Sequence, residues 1–274
     1  MFSTQRTDSS SIIHLVSASP LHTLRLLSKV TLLFVVLLVV GCASIEQPAN
    51  WTVEEFHAKA RAHLDAGEWE QAIDYYHQLE QRYPYGKYAE QSQLEVIYAY
   101  YRNYEPELAI SSADQFIRLY PTHPRIDYAY YLKALSIFQS STSLLDRLLR
   151  VDPSKQDPGP ARESFEAFRA LVTLFPQSSY AGNARQRMAE ILDLIAQHEI
   201  NIGRYYLRRG AHVAALNRAK YVIEHYPDVS VVEDALGIMV AVYKKMGFDK
   251  LLDDTIRILQ QSYPSSIYLL PGSK

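Results

Sequence analysis

The sequence predicts an all-α fold built from five repeated helix pairs. An aromatic residue followed by proline recurs five times, and glycine is scarce, with 10 residues in 274. No segment shows the alternation of polar and apolar residues that is typical of a strand. The aromatic–proline pairs are Tyr83-Pro84, Tyr120-Pro121, Phe175-Pro176, Tyr226-Pro227 and Tyr263-Pro264. Because proline pushes the preceding residue out of the α region, each pair marks the end of a helix.

The amino-terminal segment has the features of a signal peptide. Residues 30–40 form an apolar run, and Arg25 and Lys29 supply positive charge before it. A membrane-spanning helix takes about 20 apolar residues, so this run is too short to span stably. We therefore predict a lipoprotein signal peptide at residues 1–41.

Cys42, the single cysteine of the chain, is the predicted lipid attachment site. Gly41, Cys42 and Ala43 directly follow the apolar run and resemble the lipobox of bacterial lipoproteins. A thiolate is nucleophilic enough near neutral pH to accept a diacylglyceryl group, and the resemblance adds N-acylation of the new terminus. Residues 42–51 would then form a lipidated tether. At about 3.3–3.6 Å per residue, it holds the first repeat within roughly 35 Å of the membrane.

Two further positions recur at fixed distances from the five prolines. Seventeen residues earlier stands a glycine in four copies and Tyr104 in the second, and glycine suits the positive φ that ends a helix. Twelve residues earlier stands a small residue in four copies and Leu252 in the fifth, which lets two helices approach closely. The glycines are Gly67, Gly159, Gly210 and Gly247, and the small residues are Ala72, Ala109, Ser164 and Ala215. A turn, a second helix and a proline stop make up the second half of a tetratricopeptide repeat.

The prediction is therefore a tetratricopeptide-repeat domain at residues 52–274, forming a right-handed superhelix. One proline spacing is long enough to predict an insertion at residues 140–158, rich in serine, aspartate and proline. Another predicts a long first helix from about Ser179 to Arg209. The predicted repeats cover about residues 52–84, 86–121, 124–176, 179–227 and 229–264.

Charge and motif content favour a binding protein over an enzyme. Without Arg6, Arg25, Lys29 and Asp8 of the signal peptide, 25 basic residues remain against 29 acidic ones. This balance provides no basic stripe for nucleic acid. The histidines lack metal-binding spacing, and no glycine-rich phosphate loop occurs. We expect no catalytic centre, cofactor or metal.

Tyrosines cluster on the predicted first helices, at Tyr98, Tyr100, Tyr101 and Tyr104. They either fill the seams between helices or point into the concave groove that first helices line. Tyrosine suits a binding groove because it joins a rigid apolar face to a hydroxyl. The insertion is likewise either a solvated loop or a lid that binds a partner.

Several segments closely resemble the BamD family of lipoproteins, also called YfiO or ComL. They are Arg82-Tyr83-Pro84-Tyr85-Gly86-Lys87-Tyr88, the stretch from Leu94 to Tyr101, the stretch from Phe116 to Pro124, and Asp157-Pro158 with Ala161-Arg162 and Phe165. The resemblance covers nearly all of the chain after Cys42 and weakens in the last 30 residues. It implies five tetratricopeptide repeats and a lipid anchor on the periplasmic face of the outer membrane.

The resemblance also implies a function and partners. Such a protein is a scaffold of the Bam complex and assists the assembly and insertion of β-barrel proteins. Its carboxy-terminal repeats are expected to dock the last periplasmic domain of BamA, and its amino-terminal repeats to contact BamC and the aromatic-ending signal of unfolded barrel proteins. We place the contacts with that signal at Tyr83, Tyr85, Tyr88, Tyr98 and Tyr101.

Two other functions remain open at this point. A tetratricopeptide lipoprotein could instead regulate or position cell-wall synthases. An enzyme, such as a wall hydrolase, would require convergent acid and base groups or a metal cluster in the folded chain.

Overall fold

The computed structural model describes residues 51–140 and 152–270. Within these ranges the chain forms ten α-helices and no strand. They are α1 (Val53–Ala66), α2 (Trp69–Arg82), α3 (Lys87–Arg102), α4 (Pro106–Leu119), α5 (Ile126–Ser140), α6 (Gly159–Leu174), α7 (Ala181–Arg208), α8 (His212–His225), α9 (Val232–Met246) and α10 (Asp249–Ser262). Two short 3₁₀ turns, Pro153–Lys155 and Ile267–Leu269, complete the described structure. The all-α prediction is confirmed.

The helices stack in the order of the chain, as in a tetratricopeptide array. Each helix packs against the next one, and the first helices of neighbouring pairs also touch, as α1 with α3, α3 with α5 and α7 with α9. Such a pair cannot bury its apolar face alone, so each needs its neighbours. The handedness of the superhelix stays a prediction.

Small residues bring the helices of a pair together, as their positions in the sequence predict. Ala72, Ala109, Ser164 and Ala215 have no exposed surface. At Ser164 the extra polar atom is satisfied, because its hydroxyl donates to the carbonyl of Ala134 over 2.9 Å. The close approach therefore leaves no unpaired hydroxyl in that seam.

Every second helix ends in the same way. The residue before each proline has φ between −137° and −128°, outside the helical range. Its N–H still donates to the carbonyl four residues earlier, over 2.7–2.9 Å. The five acceptor residues are fully buried, and they are Leu79, Phe116, Leu171, Val222 and Leu259. The helix end is thus tied directly to the core.

The predicted glycine turns hold in three of four cases. Gly67, Gly210 and Gly247 have φ between 70° and 77°, and Tyr104 adopts a φ of 59° at the same position of the second repeat. The prediction is wrong for Gly159, which is the first residue of α6 rather than the end of a helix. The insertion precedes it, so no helix needs to be ended there. The Gly159 N–H instead donates to the Asp157 carboxylate over 3.1 Å.

The long helix α7 has 28 residues and holds the end of the insertion. His198 Nδ1 donates to the Ser154 carbonyl over 2.9 Å, and Asn201 Nδ2 donates to the Ser154 hydroxyl over 2.9 Å. Ser154 is 5% exposed. The second half of α7 therefore serves as the platform on which the end of the insertion docks. Residues 141–151 lie outside the described ranges.

A buried carboxylate joins the first three helices. Glu95 on α3 has a side chain that is 7% exposed. It accepts hydrogen bonds from His57 (3.1 Å) and Arg61 (2.7 Å) on α1, from Tyr76 on α2, and from Gln91 (3.0 Å) one turn earlier. Burial alone would raise the pKa of Glu95, but the bonds from His57, Tyr76 and Gln91 outweigh it and lower the pKa to about 2. Glu95 is therefore charged and fully engaged at neutral pH.

We expect Glu95→Gln to destabilise the domain in a pH-dependent manner. The folded-state pKa of Glu95 is about 2, below the ordinary value of 4.5. The stabilisation by the charged carboxylate is therefore complete above pH 4.5, and it is lost as the pH falls from 4.5 through 2. A shift of this size corresponds to roughly 3 kcal/mol of unfolding free energy at neutral pH. Urea unfolding followed by far-UV circular dichroism measures the difference from the unsubstituted chain.

The exposed Glu224 on α8 provides the matched control. Glu224→Gln should change the free energy of unfolding by less than about 0.5 kcal/mol. A loss for Glu95→Gln that stays constant from neutral pH to about pH 3 would contradict the assigned role of its charge.

Candidate functional site

A groove with a volume of about 550 Å³ opens where the first repeats meet. The turn at Gly67 places Trp69 at the start of α2, and Tyr98 and Arg102 lie one turn apart on α3. Arg125 and Tyr128 reach it from the start of α5. Residues four apart on a helix share one face, which is why Tyr98 and Arg102 both line the groove.

Arginine and aromatic rings form the centre of this groove. The Arg102 guanidinium carbon lies 4.6 Å from the Trp69 ring centroid and 5.6 Å from that of Tyr98. Arg102 Nη1 also donates to the Tyr98 hydroxyl over 2.6 Å, and the Trp69 and Tyr98 rings meet edge to face at 6.0 Å. Stacking of this kind orients the guanidinium and leaves further N–H groups to donate.

The groove has a surplus of positive charge. Arg61 is paired with Asp65 and with the buried Glu95. In the described part of the chain, no carboxylate lies within ion-pairing distance of Arg102 or Arg125. The Arg125 guanidinium carbon instead lies 5.0 Å from the centroid of the Tyr128 ring. These two arginines can therefore bind an incoming carboxylate.

Tyr128 of the groove stays neutral and can donate a hydrogen bond. Burial is the main cause that raises the pKa of Tyr128 well above its usual value, and the neighbouring Tyr180 adds to the effect. Its ring stacks on Tyr180 with the centroids 5.1 Å apart. Tyr128 therefore forms a fixed, uncharged wall of the groove.

Only one of the five predicted contact tyrosines, Tyr98, lines this groove. Tyr101 lies in an adjacent cavity of about 310 Å³ that also contains Phe138 and Arg187. Arg102 borders both cavities. Burial raises the pKa of Tyr101, so its hydroxyl also remains protonated.

The structure places the other three predicted tyrosines elsewhere. The Tyr83 hydroxyl donates to the carbonyl of Trp51 over 2.8 Å, and its ring packs against Phe56. Tyr88 packs against His57 with the ring centroids 5.2 Å apart. Tyr85 is 91% exposed on the turn between α2 and α3. The structure does not bring the five tyrosines together into one site.

The site residues predicted from the sequence do not include Trp69, Arg102 or Arg125. A usable signal did exist for two of them. Trp69 follows the turn glycine Gly67 by two residues, and Arg102 follows Tyr98 by four. Arg125 has no comparable signal, because only the folded stack brings the start of α5 next to α3.

The predicted anchor lies outside the residues that the structure describes. Cys42, the signal peptide and most of the tether fall outside the described ranges. Within those ranges, no helix combines the length and apolar character needed to cross a membrane. The same residues hold no group of three or more histidine, cysteine, aspartate or glutamate side chains placed to bind a metal ion.

Comparison with known proteins gives consistent matches. The model of the YfiO family, described as outer membrane lipoprotein, matches residues 49–268. The chain is 40% identical over 220 residues to the outer membrane protein assembly factor BamD of Neisseria meningitidis serogroup B, covering 80% of this chain and 82% of that protein. The protein of the same name from Xylella fastidiosa is 34% identical over 254 residues, or 92% and 85% of the two chains. That of Vibrio cholerae is 31% identical over 224 residues, or 81% and 93%.

Among solved structures, a crystal structure of tetratricopeptide-like repeats from a Podospora anserina putative kinesin light chain covers 78% of this chain and 97% of its own, at 14% identity. Its TM-score of 0.37 is too low to add to what the helix contacts establish. The family match, in contrast, spans all ten described helices. The chain therefore belongs to the YfiO family of outer membrane lipoproteins.

Proposed function

We propose that this chain is an outer membrane protein assembly factor, a scaffold subunit of the Bam complex that assists the recognition, assembly and insertion of β-barrel proteins. The observation that carries the proposal is the identity of 31–40% to proteins named for that role, over 80–92% of this chain. The fold supports it, because a stack of helix pairs presents long grooves in which a partner segment can lie.

The function predicts a general effect on outer-membrane barrels. Depleting the chain in its own cells should lower the amounts of many barrel proteins in the outer membrane together, because they share one assembly machinery. Quantitative mass spectrometry of outer-membrane fractions measures this, and inner-membrane proteins are the control. Unchanged barrel levels, together with recovery of cell-wall synthases but no BamA on affinity isolation, would favour a regulator of wall synthesis instead.

The anchor of this scaffold is proposed to be Cys42, lipidated after removal of residues 1–41. Support comes from the apolar run followed by Gly41-Cys42-Ala43 and from the description of the family as outer membrane lipoproteins. Several acyl chains are needed for stable anchoring, because a single chain binds a membrane only marginally. The attached domain would then face the periplasm.

Cys42→Ala should block both lipidation and processing. We expect intact-mass spectrometry of the unsubstituted chain to show an amino terminus at Cys42 that carries lipid, and that of the variant to show residues 1–41 still attached. Ser44→Ala, two residues away, should be processed normally. An unsubstituted chain that retains residues 1–41, or whose Cys42 carries no lipid, would disprove the anchor.

The partners of the proposed scaffold follow from the family resemblance. The carboxy-terminal repeats would bind the last periplasmic domain of BamA, and the amino-terminal repeats would bind BamC where it is present, among the other Bam lipoproteins. The amino-terminal repeats would receive unfolded barrel proteins. The groove around Arg102 gives this last contact a physical basis, because its chemistry fits a chain end that combines an aromatic ring with a free carboxylate.

Each group at such a chain end would have a partner in the groove. An aromatic side chain would pack against Trp69 and Tyr98, which already meet edge to face. The terminal carboxylate would bind Arg102 and Arg125, which are exposed and held in place by ring stacking. Arginine binds carboxylates through two parallel N–H donors, which adds direction to the charge attraction. Tyr98 is thus the proposed contact among the five predicted tyrosines, and Tyr101 borders the same arginine.

A peptide cycle tests the role of Arg102. The probe is a fluorescent eight-residue peptide that ends in phenylalanine, made with a free carboxylate or with a terminal amide. Arg102→Ala should weaken binding of the acid form about tenfold, or about 1.4 kcal/mol, and should hardly change binding of the amide. Fluorescence anisotropy measures both affinities.

Two variants complete this design. Tyr98→Ala should weaken both peptides, because it removes ring contact rather than charge. Tyr85→Ala should weaken neither, because Tyr85 is exposed and lies away from the groove. Equal losses for the acid and the amide on Arg102→Ala would contradict the proposed carboxylate contact.

A further inference from the structure

Within the described residues, no further helix covers the last repeat as one covers every earlier repeat. In the first four pairs, the first helix of the next pair packs on the second helix, as α3 on α2, α5 on α4, α7 on α6 and α9 on α8. After α10, the described chain continues only as the 3₁₀ turn Ile267–Leu269, which contacts α10. An apolar seam of the size that normally receives a helix is therefore covered by one turn.

That turn is fastened through Tyr268. Its ring lies directly on Gly237 of α9, so close that a Cβ atom at Gly237 would come within 2.5 Å of it. The Tyr268 hydroxyl donates to the Asp234 carboxylate and accepts from Arg204 Nη2 at 3.4 Å. Arg204 and Asp234 are themselves paired at 2.7 Å. Because Gly237 has no side chain, it leaves a slot on α9 into which the Tyr268 ring fits.

The seam remains only partly filled. Beside the turn, a groove with a volume of about 610 Å³ continues between α7, α9 and α10. Its wall includes the half-buried aliphatic side chains of Leu207, Val240, Leu252 and Ile256. On the turn itself, Ile267 and Leu270 are each 62% exposed. Leu269 and Leu270 of the tail line this groove as well, so the chain's own segment places its ring in the slot and covers the rest of the groove only in part.

The rim of the groove is positively charged. Arg208 and Lys244 line it, and over the described residues neither has a carboxylate within ion-pairing distance. They stand in addition to Arg204, whose charge is balanced by Asp234. An occupant with acidic side chains near its aliphatic ones would satisfy both cations.

We propose that this seam is a second peptide-binding site, which accepts a partner segment that presents a tyrosine followed by aliphatic residues and carries nearby carboxylates. The chain's own residues 263–270 occupy the tyrosine slot until such a partner replaces them. The chemistry of the ligand is read from the native occupant and from the unfilled groove beside it. The proposal is independent of the function proposed for the amino-terminal groove.

Replacement is feasible because the built-in occupant is attached but short. A segment tethered this closely competes at an effective concentration on the order of millimolar. A partner that fills the aliphatic groove and pairs with Arg208 and Lys244 makes contacts that the tail does not make. It can therefore displace the tail at a much lower concentration.

The test uses the full chain and a fluorescein-labelled peptide with the sequence of residues 263–270. Tyr268→Ala removes the ring of the built-in occupant, and we expect it to bind the peptide at least tenfold more tightly than the unsubstituted chain does. Adding Gly237→Ala to Tyr268→Ala should abolish that gain, because the new methyl group fills the slot. Fluorescence anisotropy measures each affinity.

Gly182→Ala is the matched control. It also places alanine in a helix, at an exposed position where a Cβ atom has nothing within 4 Å. Combined with Tyr268→Ala, it should leave the gain in peptide binding intact. Gly237→Ala should itself preserve the helical circular dichroism signal, because alanine favours helices more than glycine does. In the otherwise unsubstituted chain, it should speed chymotrypsin cleavage after Tyr268.

Several outcomes would overturn the proposal. One is equal peptide binding by the unsubstituted chain and the Tyr268→Ala variant. Another is binding that survives Gly237→Ala, since the peptide would then lie elsewhere. A third is binding of a peptide in which alanine replaces the tyrosine of residue 268. A dimer of the unsubstituted chain that disappears in Tyr268→Ala would assign the slot to tails exchanged between two copies.

Discussion

The structure depends on one constraint: no helix pair of this chain can bury its apolar face alone. The second helix of each pair exposes a seam that only the first helix of the next pair covers. Fully buried residues such as Leu79, Phe116 and Leu171 lie in these seams, and each also accepts the last backbone hydrogen bond of its helix. Packing and helix length are therefore set at the same residues, which keeps successive pairs alike.

Buried charge adds a second condition to this packing. Glu199 on α7 is 4% exposed, accepts from Arg218 of α8 at 2.7 Å, and is paired with Arg162 of α6 at 3.4 Å. Arg162 also donates to the hydroxyl of Tyr226, the aromatic residue that ends α8. Glu95 on α3 likewise accepts hydrogen bonds from side chains of α1 and α2. An unpaired buried carboxylate is strongly destabilising. The helices are therefore stable only in the alignment in which these donors reach Glu199 and Glu95.

The repeats could be predicted from sequence because their signals are local and periodic. The aromatic–proline stops and the small residue twelve positions earlier act within one helix pair, and Tyr104 adopts the turn conformation that glycine supplies elsewhere. The same periodic rule failed at Gly159, because the insertion separates this glycine from α5, the helix that it would otherwise have ended. It also gave no information about Tyr268, which follows the last proline and meets Gly237 only in the folded chain.

The groove was harder to predict than the repeats for a related reason. Tyr83, Tyr85 and Tyr88 are close in sequence, yet they lie at the end of α2, on the turn and at the start of α3, and they diverge to Trp51, to solvent and to His57. The groove instead collects residues from four helices, α1, α2, α3 and α5, and from the turns at Gly67 and Arg125. Residues that are close in the sequence therefore predict the seams within a repeat. The residues of a groove come together only when successive first helices lie side by side in the folded chain.

The two grooves use similar chemistry but differ in their state of occupation. Each combines an aromatic or aliphatic wall with arginines, yet only the one around Gly237 is lined by residues of the tail, with Tyr268 in its slot. Coupling between them would require an element with two arrangements that both sites bias. The tail is the one described segment whose contacts suggest exchange, and it touches only the last two repeats, through Arg204 of α7 and Gly237 of α9. We therefore infer that the two grooves bind their segments independently, so that a scaffold of this kind can hold two partners at once.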